Sequence, residues 1–140
     1  FSKSSTAKNG LFLNIAWGTD KATVKEKIEK QYEDVLVGSE NNTLFFSISH
    51  YDGKKGITAF PILTFDSSDK LEEVLLCLSI SDESSYSSKR LVNEYKEEYD
   101  KLYGKSVDSA SYSDTWESSK SEIEFLSLSD ELFFITYKPK

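Results

Sequence analysis

Several residue types are scarce in this chain, and each shortage excludes something. Its 140 residues include one cysteine, one histidine, two prolines and no methionine. With Cys77 alone, neither an intramolecular disulfide nor a cysteine-based metal site can form, and the redox compartment stays open. With His50 alone, a zinc ligand set or a histidine general base lacks partners at set spacing. Positive charge is also short. Seventeen Lys and Arg against 24 Asp and Glu give a net charge of −7, and the lysines are scattered singly among acids instead of forming a stripe. Binding to a phosphate backbone or an anionic membrane surface needs a basic footprint, so no nucleic-acid or membrane-surface partner is expected. Long apolar runs are missing too: every hydrophobic segment is broken well short of the ~20 residues that a membrane span requires.

What remains is enough for one folded domain. The chain is 38% hydrophobic and 14% aromatic, richer than a disordered segment, and a domain of this size buries roughly 68–70% of the surface its unfolded chain exposes. Residues 1–10, "FSKSSTAKNG", read as a flexible polar lead ahead of a single domain over 11–140. A chain that opens on Phe1 with such a lead fits either a mature chain after signal removal or a trimmed one, and of the two an extracytoplasmic setting is expected: secreted, periplasmic or lipid-anchored. Asn41-Asn42-Thr43 is a formal glycosylation triplet that matters only in a eukaryotic secretory pathway.

Periodicity organises the domain. Val24, Ile28 and Tyr32 recur at helical spacing and predict a helix over Thr19 to Tyr32. Just before it, in "LNIAWGTDK", Gly18 frees the turn, Thr19 or Asp20 caps the helix, and Trp17 covers its start. Three β-rich runs follow, over 43–51, 57–65 and 71–80, separated by the turn sequences "DGKKG" and "DSSD". Pro61 inside the second run predicts an edge strand or a bulge there. A second helix is expected from about Ser88 to Tyr103, with Leu91, Tyr95, Tyr99 and Leu102 on one face, Ser87 or Ser88 as cap and Gly104 as terminator. Strands over 109–117, 121–129 and 131–138 close the chain. The pattern is helix then strands, twice. "ITAFPILTFDSSDKLEEVLLCLSI" can be laid on "SEIEFLSLSDELFFITYKP", which suggests a diverged internal repeat, about 11–82 and 83–140. The fold class is therefore α+β: two helix-then-antiparallel-strand repeats forming one antiparallel sheet with the helices on one face.

No motif carries readable catalysis. His50 sits near a strand end and reads as a structural or turn residue. The pairs Glu72-Glu73, Glu97-Glu98 and Glu122/Glu124 do not stand out from the acids elsewhere on the surface, so a glycosidase pair is disfavoured against solvated charge. The abundant serines form no nucleophile elbow. "YDGKKG" lacks the phosphate-loop pattern, and Cys77 between leucines reads as a small apolar strand residue. No cofactor and no metal are expected. The stronger signal lies in the strands, where Leu44, Phe46 and Ile48 alternate with Phe45, Ser47, Ser49 and Tyr51. If the helices cover one sheet face, the other still carries Phe45, Phe60, Ile62 and Leu75, more apolar than a wetted face requires. Such a face meets another protein or a second copy of the chain, or is covered by a curl of the sheet, a loop or the lead.

These residues also resemble a known family. Gly18, Asp20 and Val24 match the Gly-x-[Ser/Thr]-x-x-x-Val helix opening of the SmpA/OmlA (BamE-like) and β-lactamase-inhibitor-like proteins, with Asp20 in place of the hydroxyl cap. Tyr103-Gly104-Lys105 resembles the Tyr-Gly-Lys-Pro ending of a helix in related repeats, with Ser106 where the proline stands. Trp116, the Ile123–Phe125 strand and the return strand ending in Ile135-Thr136-Tyr137 are similar to their Trp-then-hairpin finish. The likeness spans most of residues 11–138; after the first helix, Lys30-Gln31-Tyr32-Glu33 replaces the expected Leu-Gly-x-Pro. The resemblance implies tandem helix-plus-antiparallel-sheet units, an exported or envelope setting and no catalysis. Its inhibitor members grip a protein with an open, aromatic sheet face. Carried onto this chain, that implies protein contacts at Phe45, Tyr51, Phe60, Tyr112 and Trp116. The alternative is a cystatin-like or NTF2-like small-ligand binder or hydrolase, with a pocket between helix and curved sheet that draws in polar groups such as His50.

Overall fold

A computed structural model describes residues 9–32, 35–81, 84–109, 113–130 and 132–140. The order is α1 (Lys21–Gln31), β1 (Gly38–Glu40), β2 (Thr43–Phe45), β3 (Ile57–Phe65) and β4 (Leu71–Ile80), then α2 (Ser88–Tyr103), β5 (Asp108–Ser109), β6 (Ser113–Glu117), β7 (Ser121–Ser127) and β8 (Leu132–Pro139). All eight strands form one antiparallel sheet in the order β1-β2-β3-β4-β8-β7-β6-β5. Each helix thus precedes a four-strand meander, and the two meanders meet at the β4–β8 seam. The two segments that align in sequence are the hairpins β3–β4 and β7–β8.

Both helices start on the expected caps, and α2 stops on the expected glycine. Asp20 caps α1 by accepting the Thr23 backbone N–H at 3.1 Å and the Thr23 hydroxyl at 2.8 Å. Those two hydrogen bonds favour the ionised form and hold its carboxyl below the ordinary value. Gly18 takes a left-handed φ of 83° with open space around its Cα. It makes a structural joint, because its N–H reaches Leu71 O while Leu71 N–H returns to Thr19 O, which ties the helix entrance to the start of β4. Ser87 Oγ accepts from Arg90 N–H at the head of α2, and Gly104, at φ 84°, ends it by donating to Asp100 O.

The strand expected over 43–51 is drawn as β2 plus a lone bridge, and the reason is Pro61. Leu44 pairs with Leu63, and Ile48 bridges Ala59, so one register runs through both pairs. Between them Phe46 N–H donates to Pro61 O at 3.4 Å, but Pro61 has no N–H to return. One rung is missing from a ladder that is otherwise continuous. Pro61 is therefore in an interior strand, at the gap in its partner, and not on an edge. The short edge strands β1 and β5 were not foreseen; β1 joins β2 through Asn41-Asn42, with Asn41 at positive φ.

The core lies between the sheet and the two helices. Val24 and Ile28 of α1 and Leu91, Tyr95 and Tyr99 of α2 cover one face of the sheet. That face presents Leu44, Ala59, Leu63, Leu76, Ile135, Phe125 and Trp116 among others, all buried. At the seam Val74, Leu76 and Leu78 pair with Tyr137, Ile135 and Phe133, and all six are buried. Such alternation fixes the register, since a slip of one residue would turn this set towards water.

The polar lead ends earlier than expected. Positions 1–8 lie outside the described residues, but Asn9 and Gly10 are built into the domain: Ser118 Oγ donates to Asn9 O at 2.7 Å, and Gly10 is buried against Ser118. Leu11, Phe12, Leu13 and Ile15 are core residues, with the Phe12 ring 5.8 Å from that of Tyr137. Trp17 packs against the core, and its indole N–H donates to Ser121 Oγ at 2.9 Å. The chain ahead of α1 is thus fastened to the β6–β7 turn.

Candidate protein-binding face

The sheet face away from the helices is built by the alternate residues of every strand. One cross-strand row runs Phe45, Ile62, Leu75, Thr136, Glu124, Thr115 from β2 to β6. The next runs Phe60, Cys77, Phe134, Leu126, Ser113 from β3 to β6. Paired side chains on one face stand about 4.5–5.5 Å apart, so the apolar members form a continuous patch. Phe45 is 42% exposed, Phe60 43% and Ile62 37%. Leu11, Phe12, Leu13 and Ile15 do not lie over them but are buried in the core.

Phe45 is held in place from below. Gly38 is its cross-strand partner, and the ring lies so close over it that a Cβ there would collide with ring atoms. Gly38 is thereby a positioning residue for Phe45, one that sequence reading passed over because β1 is three residues long. Also missed were Phe134, Leu126 and the exposed Leu132, which extend the patch beyond the seam. The period-two pattern of "LFFITYK" carries that signal, since Phe133, Ile135 and Tyr137 share one side and Phe134 the other.

Of the five contact positions taken from the resemblance, Phe45 and Phe60 come together on this face. Tyr51 does not: it is 1% exposed. His50 and Asp52 both adopt left-handed φ and the chain enters a 3-10 turn over Tyr51–Gly53, so the alternation that predicted an outward Tyr51 stops at the turn. Trp116 is also 1% exposed. It shares the inner side of β6 with Asp114, packs edge-on to Tyr99 at 5.1 Å and 72°, and donates its indole N–H to Asp100 Oδ1 at 2.9 Å. Its position therefore corrects the expectation of a surface anchor. Tyr112 lies outside the described residues.

The charge inside β6 explains why a tryptophan could be misplaced. Burying Trp116 also buries Asp114, which is acceptable only because Lys96 Nζ of α2 reaches its carboxylate at 2.8 Å and Ser109 Oγ donates at 2.6 Å. Burial pushes the Asp114 carboxyl up, but the bonds from Lys96, Ser109 and Ser106 outweigh it and leave the group below its ordinary value. The α2 tyrosines behave oppositely: burial pushes Tyr95 and Tyr99 well up, so both remain neutral phenols. Tyr95 Oη donates to Asp52 Oδ2 at 3.2 Å, and the Tyr99 and Tyr137 hydroxyls lie 3.4 Å apart.

His50 is committed to its turn, its Nδ1 accepting the Gly56 N–H at 3.0 Å. Cys77 lies in the apolar row between Phe60 and Phe134, where burial pushes its thiol up, away from the thiolate. Among the described residues no three His, Cys, Asp or Glu side chains group to hold a metal, and no helix is long and apolar enough to cross a membrane. No family model matches the chain, and neither does any curated protein or solved structure.

Proposed function

We propose that this chain is a non-enzymatic, extracytoplasmic protein-binding module whose contact surface is the apolar zone of the open sheet face. The observation that carries the reading is the contrast between the two halves of that face. On β6 and β7 the outward positions are Ser113, Thr115, Glu117, Glu122, Glu124 and Leu126, a mostly polar surface suited to water. The corresponding strands of the first half, β2 and β3, point Phe45, Phe60 and Ile62 outward. The fold is content with a wet outer face, so stability does not require aromatics on the other half. Exposed contiguous apolar patches mark interaction surfaces, and large aromatics are their usual anchors.

In this reading the extracytoplasmic setting and the absence of catalysis are what the SmpA/OmlA-like and inhibitor-like resemblance implies. Against the small-ligand reading, Tyr95, Tyr99, Phe125, Phe133 and Tyr137 belong to the packed core between the helices and the sheet.

Affinity capture from the native source, run in parallel with wild type and with Phe60→Asp, tests the reading. A protein held by wild type and released by the variant, while circular dichroism shows the variant folded, is the expected result. Equal capture by both would overturn it. Sedimentation at micromolar concentration separates this outcome from self-association, which would show a dimer that Phe60→Asp dissociates.

A further inference from the structure

The open face is divided by charge, and the division describes the partner. Along the row from Phe45 through Ile62 and Leu75, side chains change at the seam to Thr136 and then to Glu124. Glu122 stands two residues away on the same strand and face, opposite Lys138 and Glu117. The nearby cations are already used: Lys138 lies 3.8 Å from Glu73, and Lys140 lies 3.5 Å from Glu117. Among the described residues neither Glu122 nor Glu124 has an ion-pair partner. Glu124 is two strands from Leu75, hence about 10 Å across the sheet.

Resting on the protein-binding reading above, we infer that the partner presents a protein loop with an apolar tip and one or two Lys or Arg side chains about 10–14 Å to one side. The tip settles on Phe60, Ile62 and Leu75, and the cations meet Glu122 and Glu124. Two carboxylates at the rim of a low-dielectric apolar zone attract a cation more strongly than they would in open water, and they favour its approach in one orientation. A second copy of this chain is disfavoured as occupant, since it brings the same carboxylates and a net charge of −7. An anionic lipid surface or nucleic acid would be repelled by the same zone.

The test uses a phage-displayed library of disulfide-closed peptide loops, selected on the full chain and counter-selected on Phe60→Asp. Enriched loops are expected to join Trp, Phe or Leu to Lys or Arg. Their affinity should fall about tenfold or more in a Glu122→Gln/Glu124→Gln variant, and should weaken as salt rises from about 0.05 to 0.5 M. Loops without basic residues, or loops indifferent to the double variant yet lost with Phe60→Asp, would overturn the charge inference and leave the face reading standing. A selection that enriches nothing dependent on Phe60 would overturn both. Because Phe60 is half-exposed, Phe60→Ser with an unchanged circular dichroism spectrum serves as the control for folding.

Discussion

The indole N–H of Trp116 donates to the carboxylate of Asp100 at 2.9 Å, binding β6 to α2. Four positions earlier on the helix, Lys96 pairs with Asp114 of the same strand. Helix and strand are thus joined by two polar contacts set into an aromatic wall of Tyr95, Tyr99 and Trp116. Trp116→Ala should lower stability by about 3–5 kcal/mol, and Trp116→Phe, which keeps a ring but gives up the bond to the exposed Asp100, by about 1–2 kcal/mol. Urea denaturation checks both, and a loss near zero for the alanine variant would contradict the buried placement.

On the other face the expectation reverses. Phe45→Ala and Phe60→Ala should each change stability by less than about 1 kcal/mol, because the rings are already half in water. Phe125→Ala, on the core side of β7, should cost about 3–5 kcal/mol. Equal shifts in the three denaturation midpoints would show that the two faces are not distinguished in solution as they are here.

Acid should weaken the α2–β6 contact. The Asp114 carboxyl is held below 3.8, the ordinary value that it regains on unfolding. A group with a depressed folded pKa contributes stability that is complete above the unfolded value and is lost as pH falls through the folded one. Wild type should therefore lose stability below about pH 4, and Asp114→Asn should be less stable at neutral pH but show a flatter acid limb. Parallel acid limbs for the two proteins would remove Asp114 from the account.

Glycine substitutions separate backbone strain from collision. Gly10 and Gly18 share a left-handed φ of 83°, but a Cβ on Gly10 meets Ser118, whereas the space at Gly18 is empty. Gly18→Ala should cost roughly 1 kcal/mol, the strain alone. Gly10→Ala should cost clearly more, since it also pushes away the serine that holds Asn9. Thermal melts of the pair decide this, and equal midpoints would mean that the Asn9–Ser118 contact is not formed.

Local chemistry was legible in the sequence wherever an element's neighbours along the chain decide it. Asp20, Ser87 and Gly104 cap and end the helices as their residue types require, and the alternation in "ITAFPILTF" set β3 over 57–65 with Phe60 and Ile62 facing outward. One α+β sheet with its helices on one side followed from that periodicity. The positions of Tyr51 and Trp116 did not follow from that periodicity. Tyr51 turns inward at a left-handed His50 that the strand pattern does not announce. Trp116 turns inward only because Lys96 and Asp100, a helix away, neutralise and bond what must be buried with it. The order that sets β4 beside β8 was likewise a tertiary decision. It carries the apolar patch across the seam to Phe134 and Leu126 and sets Glu122 and Glu124 beside it. Sequence fixes which side of a strand a residue takes, but the lateral neighbours that make a patch or a charge boundary exist only once the strands are paired.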